Sequence, residues 1–301
     1  MTGVTEQLQP LAEPPRPGRR PTRWLVPAAV VAVVIAIVGA VTMLTRNPSP
    51  SLPEVSPAQL VSQASQARTD ALSGSIRITT DVRLPGMGSG GALAQLNGTR
   101  TAEVAVDGVE RQRVSLTNHG DRYEIVHNGA TLWTYDSGAR TATRSTVPAD
   151  WYEGVDSRTF GVPGTDMYQP QDVARKLIEQ FSGHADVKID GTDKVAGRSV
   201  YVLKMTPKDD TVAMFLDQVI VSVDGKTNVP LRAQVYQRNG QSPALDVRFT
   251  KVSFDRPAAS TFDFQPPAGT TVKQADVEQN LQTFGGWVER TFAAPLAELR
   301  F

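Results

Sequence analysis

Residues Glu110–Asp136 read ERQRVSLTNHGDRYEIVHNGATLWTYD. Apolar and polar side chains alternate through Glu110–Thr117, Asp121–His127 and Thr131–Asp136, and the gaps between them hold His119-Gly120 and Asn128-Gly129. Period-two alternation places successive side chains on opposite faces of a strand. Glycine pairs of this kind supply the positive φ that a tight hairpin turn requires. The stretch is therefore a three-stranded antiparallel meander.

The pattern extends in both directions. Upstream, Ile76, Ile78, Thr80 and Val82 share one face and Arg77, Thr79, Asp81 and Arg83 the other, so a half-buried strand starts at Ser75. Asn97–Asp107 is the next strand, reached through Pro85–Gly91 (PGMGSGG), which is too rich in glycine to pack. Asp107-Gly108 turns into the meander, and Ser137-Gly138 leads out of it into Arg140–Thr146. A second series follows at Asp186–Thr192, Arg198–Thr206, Asp217–Asp224, Pro230–Arg238 and Pro243–Phe254, with turns at Asp224-Gly225 and Asn239-Gly240. The total is about eleven strands.

Two helices accompany the sheet. Ser56-Pro57 is a cap followed by proline at the first helical position, and Leu60, Val61, Ala64, Ala71 and Leu72 continue it as Pro57–Leu72, with Gly74 as its stop. Pro170 opens a second helix with Val173, Leu177, Ile178 and Phe181 on one side and Gly183 at its end. An antiparallel sheet with helices on one face is an α+β arrangement. Between the halves, 148–169 is an irregular connection whose Trp151, Tyr152, Phe160 and Tyr168 are candidates for a lid, or equally for aromatics tucked onto the sheet. Beyond Thr271, Val277, Leu281, Phe284, Val288 and Phe292 suggest a helix that Gly285-Gly286 weakens.

Trp24–Leu44 (WLVPAAVVAVVIAIVGAVTML) carries no charge. A helix of that length reaches about 30 Å, the thickness of a bilayer's hydrocarbon core. Arg16, Arg19, Arg20 and Arg23 precede it and only Arg46 follows closely, so the N-terminus is cytoplasmic and the bulk of the chain extracytoplasmic. The expected organisation is a disordered tail over 1–23, a single transmembrane helix over 24–44 and a proline-rich spacer over 45–56. The main domain then spans 57–272, ahead of a helical tail over 273–301.

The 301 residues contain no cysteine, which excludes disulfides, thiol chemistry, thiolate metal sites and a lipidated-cysteine anchor. Lys+Arg and Asp+Glu both number 31, with no basic stripe beyond the membrane flank, so nucleic acid is not an expected partner. His119, His127 and His184 are scattered, and there is no HExxH, GxSxG, P-loop or GxGxxG. The reading is non-catalytic, with no metal and no cofactor. Asn97-Gly98-Thr99 matches a glycosylation pattern.

What stands out is apolar area on one face of the sheet. The candidate ligand-binding residues are Ile76, Ile78, Val104, Val106, Leu116, Tyr123, Ile125, Trp133, Tyr201, Leu203, Met205, Val221, Val235 and Phe249. Two readings stay open. A face closed tightly by the helices is an ordinary core; a sheet curled around loosely packed helices lines a cavity for an acyl chain, which needs only shape and apolar area.

The element order and three stretches resemble the LolA-like group: Asn128-Gly129 leading into LWTYD at Leu132–Asp136, VDGKTNVPLR at Val223–Arg232, and FDFQPPAGTTV at Phe262–Val272. That group includes lipoprotein carriers, the RseB sensor domain and mycobacterial lipid-binding lipoproteins of the LppX and LprG type. The resemblance covers Pro57 to Val272. It implies an unclosed, curved β half-barrel capped by helices that binds a lipid or lipoprotein acyl chain in its concave face. A retained anchor departs from a soluble shuttle. The alternative it implies is an RseB-like module acting on a membrane protein partner.

Overall fold

The computed structural model describes residues 50–67, 69–82, 97–118, 120–149, 170–181, 183–213 and 215–288. Trp24–Leu44, the Pro85–Gly91 loop, the lid candidates Trp151, Tyr152, Phe160 and Tyr168, and the end of the tail lie outside the described residues. Among the described residues no helix is long and apolar enough to cross a membrane.

Twelve strands form one unclosed, curved sheet. They are β1 (Ala71–Thr80), β2 (Gly98–Asp107), β3 (Arg111–Asn118), β4 (Asp121–Asn128), β5 (Thr131–Asp136), β6 (Thr141–Thr146), β7 (Ala185–Val195), β8 (Arg198–Pro207), β9 (Leu216–Asp224), β10 (Pro230–Gln237), β11 (Leu245–Ser253) and β12 (Thr271–Gln274). Their order is β12-β6-β5-β4-β3-β2-β1-β11-β10-β9-β8-β7. The two meanders are thus joined through β1 and β11, the first and the penultimate strands of the chain. Every pairing is antiparallel except β12 with β6. The helices are α1 (Pro57–Gln66), α2 (Pro170–Phe181), the short α3 (Asp210–Ala213) and α4 (Val277–Val288).

The expected first helix overran its real end. It stops at Gln66, and Leu72 belongs to β1, opposite Val106 on β2. Gly74 is not a helix stop but a mid-strand residue beneath Phe249. A Cβ there would meet the Phe249 ring at 3.0 Å and run into the Lys251 carbonyl oxygen. The strand needs glycine for close approach rather than for a turn.

Asp224-Gly225 also differs from a two-residue turn. Asp224 is the anchor of a longer connection, accepting from Thr227 N and Thr227 Oγ1, both at 2.8 Å, and from Lys226 N at 3.2 Å. Asn228 there takes φ +58. Short polar side chains that bond backbone a few residues on make such turns. Asn97, in the glycosylation pattern, is committed to the fold: its side chain accepts from Val82 N at 2.8 Å and donates to Val82 O at 3.0 Å.

The FDFQPPAGTTV stretch crosses the outer face of the first meander. A 3-10 turn over Ala259–Phe262 buries Phe262, Arg113 donates to Thr261 O at 2.8 Å, and Phe264 stacks beside Trp133 and Tyr135 at 5.5 and 5.9 Å. The stretch ends as β12. After it, α4 runs through Gly285-Gly286 to Val288 without a break and docks on β5 and β6, with Val277 and Leu281 in the core.

Candidate ligand-binding face

The apolar residues of the concave face stand in register. One row runs Tyr123, Leu116, Ala102, Ile76 and Phe249 across β4, β3, β2, β1 and β11. A second continues Ile78, Val247, Ala233, Val221 and Leu203 across β1, β11, β10, β9 and β8. Alternation alone puts these residues on one side, and the pairing aligns them. Ile125, Val104, Val106, Met205 and Val235 fill the neighbouring rows, and Tyr201 lies at the β7 end. The sequence therefore identified thirteen of these positions on a common face.

Trp133 is the exception. It pairs with Val126 and Arg144, whereas Leu132 and Thr134 on either side face inward. Its ring meets Phe264 on the convex face, and the Arg144 guanidinium lies 5.9 Å from its centre. Counting alternation from Leu132 separates the two sides; an aromatic ring by itself does not.

The helices fill this face. From α2, Val173, Ala174, Ile178 and Phe181 pack down on the β10–β11 side, and from α1 Leu60 and Ala64 join the same core. The thirteen inward residues are 0–8 % exposed. The face is thus broad, apolar and occupied by the chain's own side chains. Open polar grooves lie elsewhere among the described residues. One of about 800 Å³ on the convex side is lined by Glu103, Arg113, Ser115, Glu124 and Lys251. Another of about 980 Å³ lies between β6, β12 and the start of α4.

Of three polar residues at inward positions, Arg100 and Asn280 were not singled out in the sequence, and His127, read there only as one of three scattered histidines, is not at the surface. Arg100 is buried, donates to Thr80 Oγ1 at 3.3 Å, and burial pulls its pKa down. His127 is buried with Nε2 2.9 Å from Gly129 O, and its pKa is lowered chiefly by burial. Asn280 on α4 bonds Thr134, Ser145 Oγ and Thr143 O. The signal for Arg100 was present, because it continues the Ala102, Val104, Val106 series. Asn280 carried none, since its partners lie more than a hundred residues away.

Residues 59–273 match the family described as "Predicted periplasmic protein (DUF2092)". The chain belongs to that family. Its description places the DUF2092 domain outside the cytoplasm. No curated protein matches the chain. Among solved structures, the DUF2092 domain is similar to MucB at 19 % identity, over 72 % of this chain and 65 % of that one, with TM-score 0.42. It is similar to LprF from Mycobacterium bovis at 12 %, over 73 % and 100 %, with TM-score 0.37. It is also similar to the LolA superfamily protein NE2245 from Nitrosomonas europaea at 15 %, over 70 % and 99 %, with TM-score 0.26. This chain spans somewhat under two thirds of the MucB chain.

Proposed function

We propose that the protein is a membrane-anchored, extracytoplasmic and non-catalytic binding module of the LolA-like kind, whose concave face takes the acyl chain of a lipid or lipoprotein. The observation that carries this reading is the pair of apolar rows, Tyr123 to Phe249 and Ile78 to Leu203, with α2 packed on their β10–β11 side. An acyl chain makes no directional bonds, so it can replace a helix's apolar contacts area for area. Burying Val173, Ile178 and Phe181 of α2 is worth roughly 4.5–9 kcal/mol, at about 1.5–3 kcal/mol each. A sixteen-carbon chain gains roughly 12 kcal/mol at about 0.8 kcal/mol per methylene. The gain matches or exceeds the contacts replaced, so a chain can enter as α2 lifts. With Trp24–Leu44 as anchor, the module senses or hands over its ligand at the membrane rather than shuttling it.

A photoreactive palmitate analogue tests the reading. Labelled peptides from α2 and from the inward positions of β8–β11 support it. Label confined to the convex face, or none, removes the acyl chain as ligand.

A second reading, an RseB-like module regulating a membrane protein, is favoured by the filling of the face by α1 and α2. It predicts one membrane protein recovered reproducibly by crosslinking in intact membranes. Recovery of lipid alone counts against it.

A further inference from the structure

The segment before α1 is fastened to the sheet instead of standing clear as a spacer. Thr192 on β7 and Tyr201 on β8 are directly opposed across their ladder. Both hydroxyls donate to this segment, Thr192 Oγ1 to Pro50 O and Tyr201 to Pro53 O, each at 2.7 Å. Between these two bonds Leu52 drops onto Gly225. A Cβ at residue 225 would lie 2.5 Å from Leu52 Cδ2 and 2.9 Å from Cδ1, so the notch depends on glycine. Leu52 and Val55 also pack against the core, and Ser56 then caps α1 by accepting from Gln59 N at 3.2 Å.

We infer that Pro50–Val55 is a releasable strap that sets the length of free tether between the domain and its anchor. Its prolines lack the N–H groups needed for sheet pairing, so two side-chain hydroxyls and the apolar side chains of Leu52 and Val55 hold it. Such an attachment can open without unfolding the sheet. Release of the six residues 50–55 lengthens the tether by about 20 Å at full extension. Release also frees the N-terminus of α1, one of the helices over the concave face. The tether role rests on the reading of Trp24–Leu44 as a membrane helix; the docking itself does not.

Both bonds use the strap's carbonyls, so the test reads side-chain access: maleimide labelling of Val55→Cys, the only thiol in the cysteine-free chain, on the full-length protein in nanodiscs of phosphatidylethanolamine and phosphatidylglycerol. With the strap otherwise intact this thiol should label slowly, because residue 55 packs against the core. Adding Gly225→Leu should accelerate labelling at least about tenfold, and Thr192→Val and Tyr201→Phe about fivefold each, as expected for one lost hydrogen bond. Deuterium exchange of peptides from β9 and β10 should be unchanged, which shows that the variants fold. Labelling as fast as in the unfolded chain before any second substitution, or a rate unchanged by all three, overturns the inference. Carbonate extraction tests the anchor separately: a chain that leaves the membrane refutes the tether role even if the strap is protected.

Discussion

Thr134 on β5 donates a 2.5 Å hydrogen bond to Asn280 on α4, and the two residues are 3 % and 2 % exposed. Asn280 also donates to Ser145 Oγ at 3.0 Å, so one buried amide ties the last helix to two strands. Asn280→Ala leaves several buried polar groups without partners, each worth about 1–3 kcal/mol. The expected loss is roughly 2–4 kcal/mol in urea unfolding. Thr134→Val strands one buried acceptor, Asn280 Oδ1, and should lose about 1–2 kcal/mol, less than Asn280→Ala. Equal effects would mean that the amide is not the hub.

Arg198 holds Asp224 through two bonds of 2.7 and 2.8 Å, with the Asp224 side chain 1 % exposed and that of Arg198 27 %. Burial pushes the Asp224 pKa up, but the bonds from Arg198 and Thr227 outweigh it and leave the pKa below the ordinary carboxylate value. Removing the cation strands a buried carboxylate. Arg198→Ala should cost about 3 kcal/mol, the low end for a buried pair because Arg198 reaches water. Adding Asp224→Asn should recover part of that loss; a double variant as weak as the single one would contradict the pairing.

His127 gives the fold a pH dependence. Its folded pKa lies below the ordinary 6.5, so the folded state favours the neutral ring. The associated stability is fully present above about 6.5 and is lost as the pH falls through the lowered folded value. Urea midpoints measured between pH about 7.5 and 5 should decline in the wild type and flatten in His127→Gln. A slope unchanged by that substitution assigns the effect to another group.

Gly74 should reverse the usual preference for alanine over glycine inside a strand. With the Phe249 ring at 3.0 Å and the Lys251 carbonyl in the way, Gly74→Ala should destabilise by about 1–3 kcal/mol. Phe249→Leu on that background relieves only the ring contact and should recover part of the loss. A stabilising Gly74→Ala would show that β1 and β11 separate easily there.

Most of the sheet was legible because its signals are local. Alternation and X-Gly turns found eleven strands, and the inward set followed from parity. What stayed hidden depends on pairings distant in sequence. β12 is four exposed residues with no pattern, and it exists because FDFQPPAGTTV delivers them beside β6. Trp133 was placed with the inward set, although parity from Leu132 places it outside. Gly74 and Gly285-Gly286 were read as breakers, yet one is required by a neighbouring ring and the other two sit inside a docked helix. Whether the concave face is filled or hollow depends on how α1 and α2 pack, and their amphipathic patterns are the same in either case.

Native mass spectrometry of Ser49–Phe301, the compact unit, purified from a bacterial host without detergent, tests the acyl-binding claim most directly. Acyl binding gives a discrete added mass that matches an acyl lipid and disappears on solvent extraction. An apo mass that persists after incubation with lipids and acylated peptides would contradict it and leave the apolar face as a core.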